Sequence, residues 1–464
     1  MHDVPPDLMT RLRRHRQEHV LLGWERLNSA QRGALLDQLT AVDLDEIDRL
    51  YASRDEPVAV PSADRLAPAP TEMAAKMDAD TVRRGHEALA RGELAVLLVA
   101  GGQGTRLGFD KPKGVFPIGP VSNKTLFEIH ADKVFALGRR YGKPVPILVM
   151  TSPATHADTE GYFAQNDYFG LGRDNVFFFQ QGTMPAVDIA TGRLLLEAPG
   201  VLFTSPNGHG GTLTALAESG VLDKIAARGV RHVFYFQVDN PLVKVGDPAF
   251  LGRHIALRAE ASSKVIEKSY PKEKMGVLAL IDGCCGIVEY SDLPDDLAHA
   301  TDPSGRLLFR AGSPAIHLFA VDFLRRVTRG ASRLPFHVAR KKVPHVDAEG
   351  RPVNPAKENA LKFEMFVFDA LPMAERWLVM ESPRDEEFSP VKNADGVDSP
   401  ATAKQAISNL AGCWLEQAGV KVPRDAKGNV TVPLEISPRF ALDAAELAAR
   451  VSPGRVIDGP TYFE

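Results

Sequence analysis

Apolar side chains in residues 7–53 recur at a spacing of three to five residues among charged ones, and this pattern predicts helices. Asn28 or Ser29 is suited to cap the second of these helices and Asp43 the third, because short polar side chains favour helix amino termini. Residues 56–70 (EPVAVPSADRLAPAP) contain four prolines, which a helix does not tolerate. A helical amino-terminal part is therefore expected to lead into an extended connector.

The middle of the chain alternates short apolar runs with helix-like segments. The strand-like runs lie at 95–100, 145–150, 176–179 and 233–238, and the helix-like segments at 126–137 and 213–227. This alternation predicts an α/β fold in which a Rossmann-like mixed or parallel sheet carries helices on both faces. Near residue 389 the pattern changes to a helix over 404–417 and short strands over 420–436. We therefore predict three regions: a helical region with its connector (1–88), a central α/β domain (89–388) and a small carboxyl-terminal domain (389–464).

A glycine-rich, cationic loop follows the first apolar run. Residues 101–114 (GGQGTRLGFDKPKG) come directly after Ala100 and include Arg106, Lys111 and Lys113. Backbone without side chains can close around phosphates at the carboxyl end of a strand, where cations balance the phosphate charge. We expect these three cations to lack acidic partners, so that together they require an anion. The loop thus predicts a site for a highly charged nucleotide.

Two common nucleotide motifs do not fit this loop. A dinucleotide fingerprint would place a third glycine at Leu107, and a Walker loop would place lysine after Gly108, where Phe109 stands. The run ending at Met150 is followed by Thr151, whereas a dinucleotide site needs an acidic residue for the ribose hydroxyl. The spacing instead suits a triphosphate held along an extended loop.

A second buried run ends in an acidic residue. Val233–Val238 is followed by Asp239 and Asn240. An aspartate at the carboxyl end of a strand is a suitable ligand for Mg²⁺, although an Asp-Asn pair also caps helices and turns. Because a predicted phosphate loop precedes it in the chain, we favour the metal role for Asp239.

Composition restricts the class of protein further. The 464 residues carry a net charge of −4, which argues against a general nucleic-acid binder. The three cysteines are too few for a disulfide framework. No apolar run approaches membrane-spanning length, and the amino end does not resemble a signal peptide, so we expect a cytoplasmic protein with no membrane partner.

The chain resembles the eukaryotic-type UDP-N-acetylglucosamine pyrophosphorylases over nearly its whole length. Besides the loop at 101–114, the segments that carry the resemblance, in the family's order, are 205–211 (SPNGHGG), 237–248 (QVDNPLVKVGDP), 265–268 (VIEK), 287–292 (IVEYSD), 337–347 (HVARKKVPHVD), 362–369 (KFEMFVFD) and 386–395 (EEFSPVKNAD). The resemblance implies the nucleotide-diphospho-sugar transferase type of fold, with residues 89–388 as the catalytic domain.

The resemblance also implies roles for particular residues. Nucleotide contacts fall on Ala100, Gly101, Gly102, Gly104, Thr105, Gln181 and Gly208, and sugar contacts on His209, Gly276, Glu289 and Tyr290. Catalytic roles fall on Arg106, Lys113 and Lys392, and Mg²⁺ on Asp239. Taken singly, Gln181, His209 and Lys392 are more simply interpreted as a turn residue, an exposed loop residue and a solvated charge.

The implied reaction joins UTP and a sugar-1-phosphate, most consistently N-acetylglucosamine-1-phosphate, to give a UDP-sugar and pyrophosphate. Two alternatives stay open: a uridylyltransferase that prefers glucose-1-phosphate or accepts many sugars, and a non-catalytic sensor of sugar nucleotides. The sensor is disfavoured because Arg106, Lys113, Asp239 and Lys392 are all present. The oligomeric state does not follow from the sequence.

Two positions depart from the family pattern at the sugar. His209 and Ile316 stand where the family usually has asparagines that lie at the sugar, and glucose-specific relatives carry histidine in a comparable loop. An imidazole and an alkyl group thus replace two amides, and each unmatched hydrogen bond is worth roughly 1–3 kcal/mol. We therefore expect only a modest preference for N-acetylglucosamine-1-phosphate over glucose-1-phosphate.

Overall fold

The computed structural model describes residues 4–56, 61–329 and 334–464. Residues 57–60, which belong to the predicted connector, lie outside this part of the chain. The described α-helices are α1 (Pro6–Arg14), α2 (Ser29–Ala41), α3 (Leu44–Ala52), α4 (Ala79–Arg91), α5 (Leu126–Tyr141), α6 (His156–Gln165), α7 (Gly211–Glu218), α8 (Val221–Ala227), α9 (Pro248–Ala256), α10 (Asp295–His299), α11 (Val321–Val327), α12 (Arg384–Glu387), α13 (Pro400–Gln417) and α14 (Ala444–Ala448).

The described strands are mostly short, and those of six or seven residues belong to a single large sheet. They are β1 (Leu66–Pro68), β2 (Glu72–Met73), β3 (Leu94–Val99), β4 (Ile147–Thr151), β5 (Val176–Gln180), β6 (Thr183–Pro185), β7 (Val187–Asp188), β8 (Leu196–Ala198), β9 (Val201–Leu202), β10 (Thr204–Pro206), β11 (His232–Gln237), β12 (Ala261–Glu267), β13 (Val277–Ile281), β14 (Cys284–Val288), β15 (Ala311–Gly312), β16 (His317–Ala320), β17 (His337–Lys341), β18 (His345–Val346), β19 (Pro352–Val353), β20 (Ala360–Glu364), β21 (Trp377–Glu381), β22 (Leu434–Ile436) and β23 (Thr461–Phe463).

The chain divides into two compact units. The larger unit contains residues 61–180, 213–333 and 370–464, and the smaller unit contains residues 1–60, 181–212 and 334–369. The three regions expected from the sequence have different bounds and stay a prediction.

The larger unit is built on a mixed sheet, which confirms the predicted fold class. Its strand order is β1-β13-β15-β12-β16-β11-β3-β4-β5, and β14, β21 and β2 attach beside this path. The four strands β11, β3, β4 and β5 run parallel, whereas β16 is antiparallel to both β11 and β12. These parallel strands are the four apolar runs picked out in the sequence, each shifted by no more than two residues.

The winding of the sheet reverses beside β3. The chain continues from β3 to β4 and β5 on one side and returns later as β11 on the other side. In open α/β sheets, ligands bind at the carboxyl ends of the strands where the winding reverses in this way. Pairing runs to the strand ends, because Gln237 lies opposite Val99 and the Val238 N–H donates to the Val99 carbonyl oxygen at 3.0 Å.

The smaller unit combines helices α1–α3 with small sheets. Its main sheet has the antiparallel order β17-β20-β7. The predicted caps are confirmed: the Asn28 side chain accepts from the Gln31 N–H at 2.9 Å, and that of Asp43 accepts from the Glu46 N–H at 3.0 Å. The apolar core of this unit joins the helices to the sheet, and its buried members include Leu12, Trp24, Leu35, Leu361 and Phe363.

Two expectations about the elements change. The single helix predicted over 213–227 is wrong: α7 ends at Glu218 and α8 begins at Val221, because Gly220 between them takes a left-handed conformation with φ of 71°. The described part of the connector is not simply extended: Ala63–Arg65 forms a 3₁₀ turn, and β1 pairs antiparallel with β13.

Candidate active site

The glycine-rich loop folds back on itself after β3. The Lys113 N–H donates to the Gly102 carbonyl oxygen, and the Gly104 N–H to the Lys111 carbonyl oxygen, both at 3.0 Å. A Cβ added to Gly104 would lie 2.7 Å from the carbonyl oxygen of Phe109, so this glycine is required by the loop's own close approach. At Gly102, by contrast, an added Cβ would meet nothing within 4 Å, which leaves this stretch of backbone open to a ligand.

Lys113 lies beside Asp239. The Lys113 Nζ is 3.6 Å from the Asp239 Oδ2, and both side chains are largely buried, at 17% and 12% exposed. The expectation that the loop cations lack acidic partners is therefore wrong for Lys113. Lys113 and Asp239 are distant in sequence, but the carboxyl ends of neighbouring parallel strands meet at one edge of the sheet and bring them together. Arg106 and Lys111 are exposed and form no ion pair with any residue that the structure describes.

A late segment of the chain reaches the same edge. The Val391 N–H donates to the Asp239 carbonyl oxygen at 2.8 Å, which brings Lys392 to the end of β11. The Lys392 Nζ is 3.9 Å from the Asp398 Oδ2. The backbone N–H of Lys392 donates to the Asp398 carbonyl oxygen at 2.7 Å. Within the larger unit, the structure thus brings Lys113, Asp239 and Lys392 to one region, as the resemblance implies.

Asp398 is a charged neighbour of this region that sequence reasoning missed. Burial raises the pKa of the Asp398 carboxyl above its usual value, Lys392 opposes this shift and Asp239 adds to it. The sequence around it, Val397-Asp398-Ser399-Pro400, resembles an ordinary turn before a helix, and Ser399 does cap α13. No signal short of the fold itself separates Asp398 from a turn residue.

The residues assigned to the sugar in the larger unit lie on a hairpin. Gly276 precedes β13, and Glu289 and Tyr290 follow β14, which pairs antiparallel with β13. A Cβ on Gly276 would lie 3.6 Å from the Glu289 Oε1, so these two predicted sugar contacts are neighbours. Tyr290 is half exposed. Ile316, the other position that departs from the family, is buried in the apolar core of this unit.

In the smaller unit, the second glycine loop is held against β20 and the residues after it. The Gly210 N–H donates to the Met365 carbonyl oxygen at 2.8 Å, and the Met365 N–H to the Asn207 carbonyl oxygen at 2.7 Å. Gly208 has φ of 83°, and a Cβ there would lie 2.3 Å from the Met365 carbonyl oxygen. Gln181 is buried and its side-chain amide donates to the Gly208 carbonyl oxygen. One hydrogen of the Gln181 amide is therefore already bonded, while the side-chain oxygen of Gln181 remains available as an acceptor.

His209 is held as a neutral ring in one tautomer. Its Nδ1 accepts a hydrogen bond from the Val367 N–H at 3.2 Å, so the proton of the neutral ring lies on Nε2. The rings of Phe366 and Phe368 lie 5.4 and 5.6 Å from it. Burial lowers the pKa of His209 to about 4. Near neutral pH the side chain therefore offers a ligand one donor and no charge.

The donor set at Asp239 fits magnesium bound together with phosphates. Among the described residues, no group of three or more histidine, cysteine, aspartate or glutamate side chains could hold a metal ion alone. Mg²⁺ does not require three protein ligands. Proteins usually bind it through one or two carboxylates, and substrate phosphates and water complete its octahedral coordination. Asp239 at the end of β11 can supply such a carboxylate.

Comparison with known proteins shows the family of the chain. The family model described as UTP–glucose-1-phosphate uridylyltransferase matches residues 50–426. The chain is 39% identical to UDP-N-acetylhexosamine pyrophosphorylase-like protein 1 of Xenopus tropicalis over 85% of this chain and 82% of that protein. It is 36% identical to UDP-N-acetylglucosamine diphosphorylase 2 of Arabidopsis thaliana over 98% and 93%.

A solved structure is similar over almost the whole fold. The uridine diphosphate N-acetylglucosamine pyrophosphorylase of Trypanosoma brucei, solved with an inhibitor, matches with a TM-score of 0.80 and 28% identity, and the match covers 99% of each chain. None of the helices in the described residues is both long and apolar enough to cross a membrane.

Proposed function

Because the chain belongs to the UTP–glucose-1-phosphate uridylyltransferase family, we propose that it transfers the uridylyl group of UTP to N-acetylglucosamine-1-phosphate. The observation that carries this proposal is the closeness of Lys113 and Asp239 at the carboxyl ends of β3 and β11, beside a glycine loop. The choice of sugar rests on the relatives named for UDP-N-acetylglucosamine, which cover nearly the whole chain.

The reaction needs no protein nucleophile. A phosphate oxygen of the sugar-1-phosphate attacks the α-phosphorus of UTP, the bond from that phosphorus to the bridging oxygen breaks, and pyrophosphate leaves with the bond electrons. Such transfers are catalysed chiefly by positioning and by neutralising charge. Arg106 and Lys113 would bind the triphosphate and stabilise the leaving pyrophosphate, and Lys392 would hold the attacking phosphate. Magnesium on Asp239 would supply further positive charge to the phosphates.

A second candidate substrate is glucose-1-phosphate. The description of the matching family names this sugar phosphate. In addition, His209 stands where the family usually has an asparagine, and its ring offers a ligand one donor in place of an amide. A site with fewer specific hydrogen bonds discriminates less between sugars with and without the N-acetyl group. We therefore propose a modest preference rather than strict selectivity.

The test is a pyrophosphate-release assay with purified protein, Mg²⁺, each of the four common nucleoside triphosphates and a panel of sugar-1-phosphates. Turnover with UTP and N-acetylglucosamine-1-phosphate is expected, together with its loss on chelation and in Asp239→Ala. Equal turnover of ATP would contradict the uridine assignment. A kcat/KM more than about a thousandfold higher for glucose-1-phosphate would overturn the sugar assignment alone. Binding of UDP-sugars without any release of pyrophosphate would identify a sensor.

A further inference from the structure

We propose that Glu387 is a positioning residue for uridylyl transfer, because it fixes Lys392 relative to Asp239. This inference rests on the proposed function, which supplies the roles of Lys392 and Asp239. Glu387 itself is buried at the end of α12 and is five residues from Lys392 in sequence.

The Glu387 carboxylate belongs to a buried network of three charges. Lys264, on β12, is fully buried, and Asp247 and Glu387 are 4% and 2% exposed. The Lys264 Nζ donates to the Asp247 Oδ2 at 2.8 Å and to the Glu387 Oε1. At the edge of this network the half-exposed Lys244 Nζ lies 3.7 Å from the Asp247 Oδ1. Burying charges is costly even when they are paired. The presence of this network therefore calls for a reason beyond stability.

Glu387 is also bonded to the loop that follows Asp239. Its Oε2 accepts from the Lys244 N–H at 3.2 Å, and its carbonyl oxygen accepts from the Asn240 Nδ2 at 2.7 Å. The Asn240 Oδ1 accepts in turn from the Ser389 N–H at 3.1 Å. Asn240 is buried and directly follows Asp239, so one side chain joins the end of β11 to the segment that carries Lys392.

These bonds leave the intervening segment little freedom. Glu387 and Ser389 are fixed to the 240–244 loop, and the Val391 N–H is fixed to the Asp239 carbonyl oxygen at 2.8 Å. Lys392 then extends from a segment that is tied on both sides of Pro390. A shift of Glu387 changes the distance between Lys392 and Asp239, and a misplacement of about 1 Å at a reacting group can cost about 100-fold in rate.

Asp247 provides a matched control within the same network. It bonds the same lysine, and it caps α9 by accepting from the Ala249 N–H at 3.1 Å. Its Oδ1 also lies 3.7 Å from the Nζ of Lys244, whose side chain is half exposed. Glu387→Gln and Asp247→Asn each remove one negative charge, and each leaves Lys264 with one carboxylate. Asparagine is also a good helix cap. Both variants therefore weaken the buried network, but only Glu387→Gln changes a residue whose own backbone is bonded to Asn240 in the segment that leads to Lys392.

The experiment compares the two variants in the full-length protein. For Glu387→Gln we expect kcat/KM for N-acetylglucosamine-1-phosphate to fall by about 30-fold or more, whereas the KM for UTP should stay within about threefold. The half-saturating Mg²⁺ concentration should rise as well. Asp247→Asn should keep kcat/KM within about threefold of the original value while its Tm falls as far as that of Glu387→Gln.

Equal losses of activity in both variants, in proportion to their Tm, would show that the network is merely structural and would overturn the proposal. Full activity in Glu387→Gln would overturn it too. If Glu387→Gln does not fold, Glu387→Asp keeps the charge with a shorter reach and should show the same selective loss for the sugar phosphate. Failure of the proposed function is distinguishable, because the unaltered protein would then release no pyrophosphate.

Discussion

Lys113 and Lys111 are two residues apart in the same loop, but only Lys113 is largely buried and beside a carboxylate. We expect Lys113→Ala to lower kcat by about 100-fold, since one lost charge-stabilising contact is worth about 3 kcal/mol in a transition state. Lys111→Ala is the control and should lose much less. Steady-state rates of pyrophosphate release check both variants. A larger loss in Lys111→Ala than in Lys113→Ala would contradict the assignment of the loop cation.

Arg106 offers a separate test of geometry in this loop. Its guanidinium can bind two phosphate oxygens at once, which a lysine ammonium cannot do. Arg106→Lys keeps the charge, and we expect it to raise the KM for UTP and to lower kcat, with little change in Tm because Arg106 is exposed. Full activity in this variant would argue against a direct contact with the triphosphate.

His209 determines the expected sugar preference. With its Nδ1 engaged by Val367, the ring has only the Nε2 proton to offer, whereas an amide offers both a donor and an acceptor. We expect His209→Asn to raise the ratio of kcat/KM for N-acetylglucosamine-1-phosphate over glucose-1-phosphate by about tenfold, the value of one hydrogen bond. His209→Ala is the control and should not raise this ratio. An unchanged ratio in His209→Asn would remove the residue from the sugar site.

At the scale of elements, helices α4 and α9 approach until their backbones touch. A Cβ on Gly85 would lie 1.9 Å from the Pro248 carbonyl oxygen, and one on Gly252 would lie 1.9 Å from the Thr81 carbonyl oxygen. Backbone atoms cannot yield as a flexible side chain can, so Gly85→Ala should lower the free energy of unfolding by about 2 kcal/mol or more.

Gly161 in α6 is the matched control for this crossing. A Cβ there would meet nothing within 4 Å, and glycine inside a helix costs roughly 0.5–1 kcal/mol relative to alanine. Gly161→Ala should therefore raise the free energy of unfolding, whereas Gly85→Ala should lower it. Urea unfolding of both variants measures the difference. A stable Gly85→Ala variant would mean that the two helices can separate without loss.

The elements also show where sequence reasoning succeeds. The parallel strands were predictable because both faces of each are buried, so that each appears as a continuous apolar run such as Leu94–Val99. The caps at Asn28 and Asp43 were predictable because their bonds reach only three residues ahead. The contacts of Lys113 with Asp239 and of Lys264 with Glu387 were not, since they depend on strand order and join residues more than a hundred positions apart.

At the scale of the whole molecule, several histidines are buried as neutral rings. Burial lowers the pKa of His130 to about 3 and that of His232 to about 4, and His209 and His254 are lowered as well. Their unfolded value is near 6.5, so between pH 6.5 and about 4 the unfolded chain binds protons that the folded chain does not. The contribution of these neutral histidines to the free energy of unfolding is fully present above pH 6.5 and is lost as the pH falls towards about 4.

We therefore expect Tm to fall steeply on acidification from pH 6.5 to about 4, with each buried histidine contributing on the order of 2 kcal/mol. Calorimetry across this range measures the slope. His232→Gln removes one titrating ring and should make the slope shallower, although its Tm at pH 8 can be lower. A Tm that does not change between pH 7 and pH 4.5 would contradict this expectation.

The smaller unit is assembled from three separate stretches of chain, and this has a consequence for how the protein is made. Trp24 and Leu35 leave the ribosome long before Leu361 and Phe363, the residues that complete their core. Until then the apolar faces of the first helices lack the part of their core that β20 supplies, while strand β11 is being synthesised. Nascent chains with exposed apolar surface aggregate or engage chaperones. Translation that stalls before residue 360 therefore yields a chain whose first helices join an incomplete core.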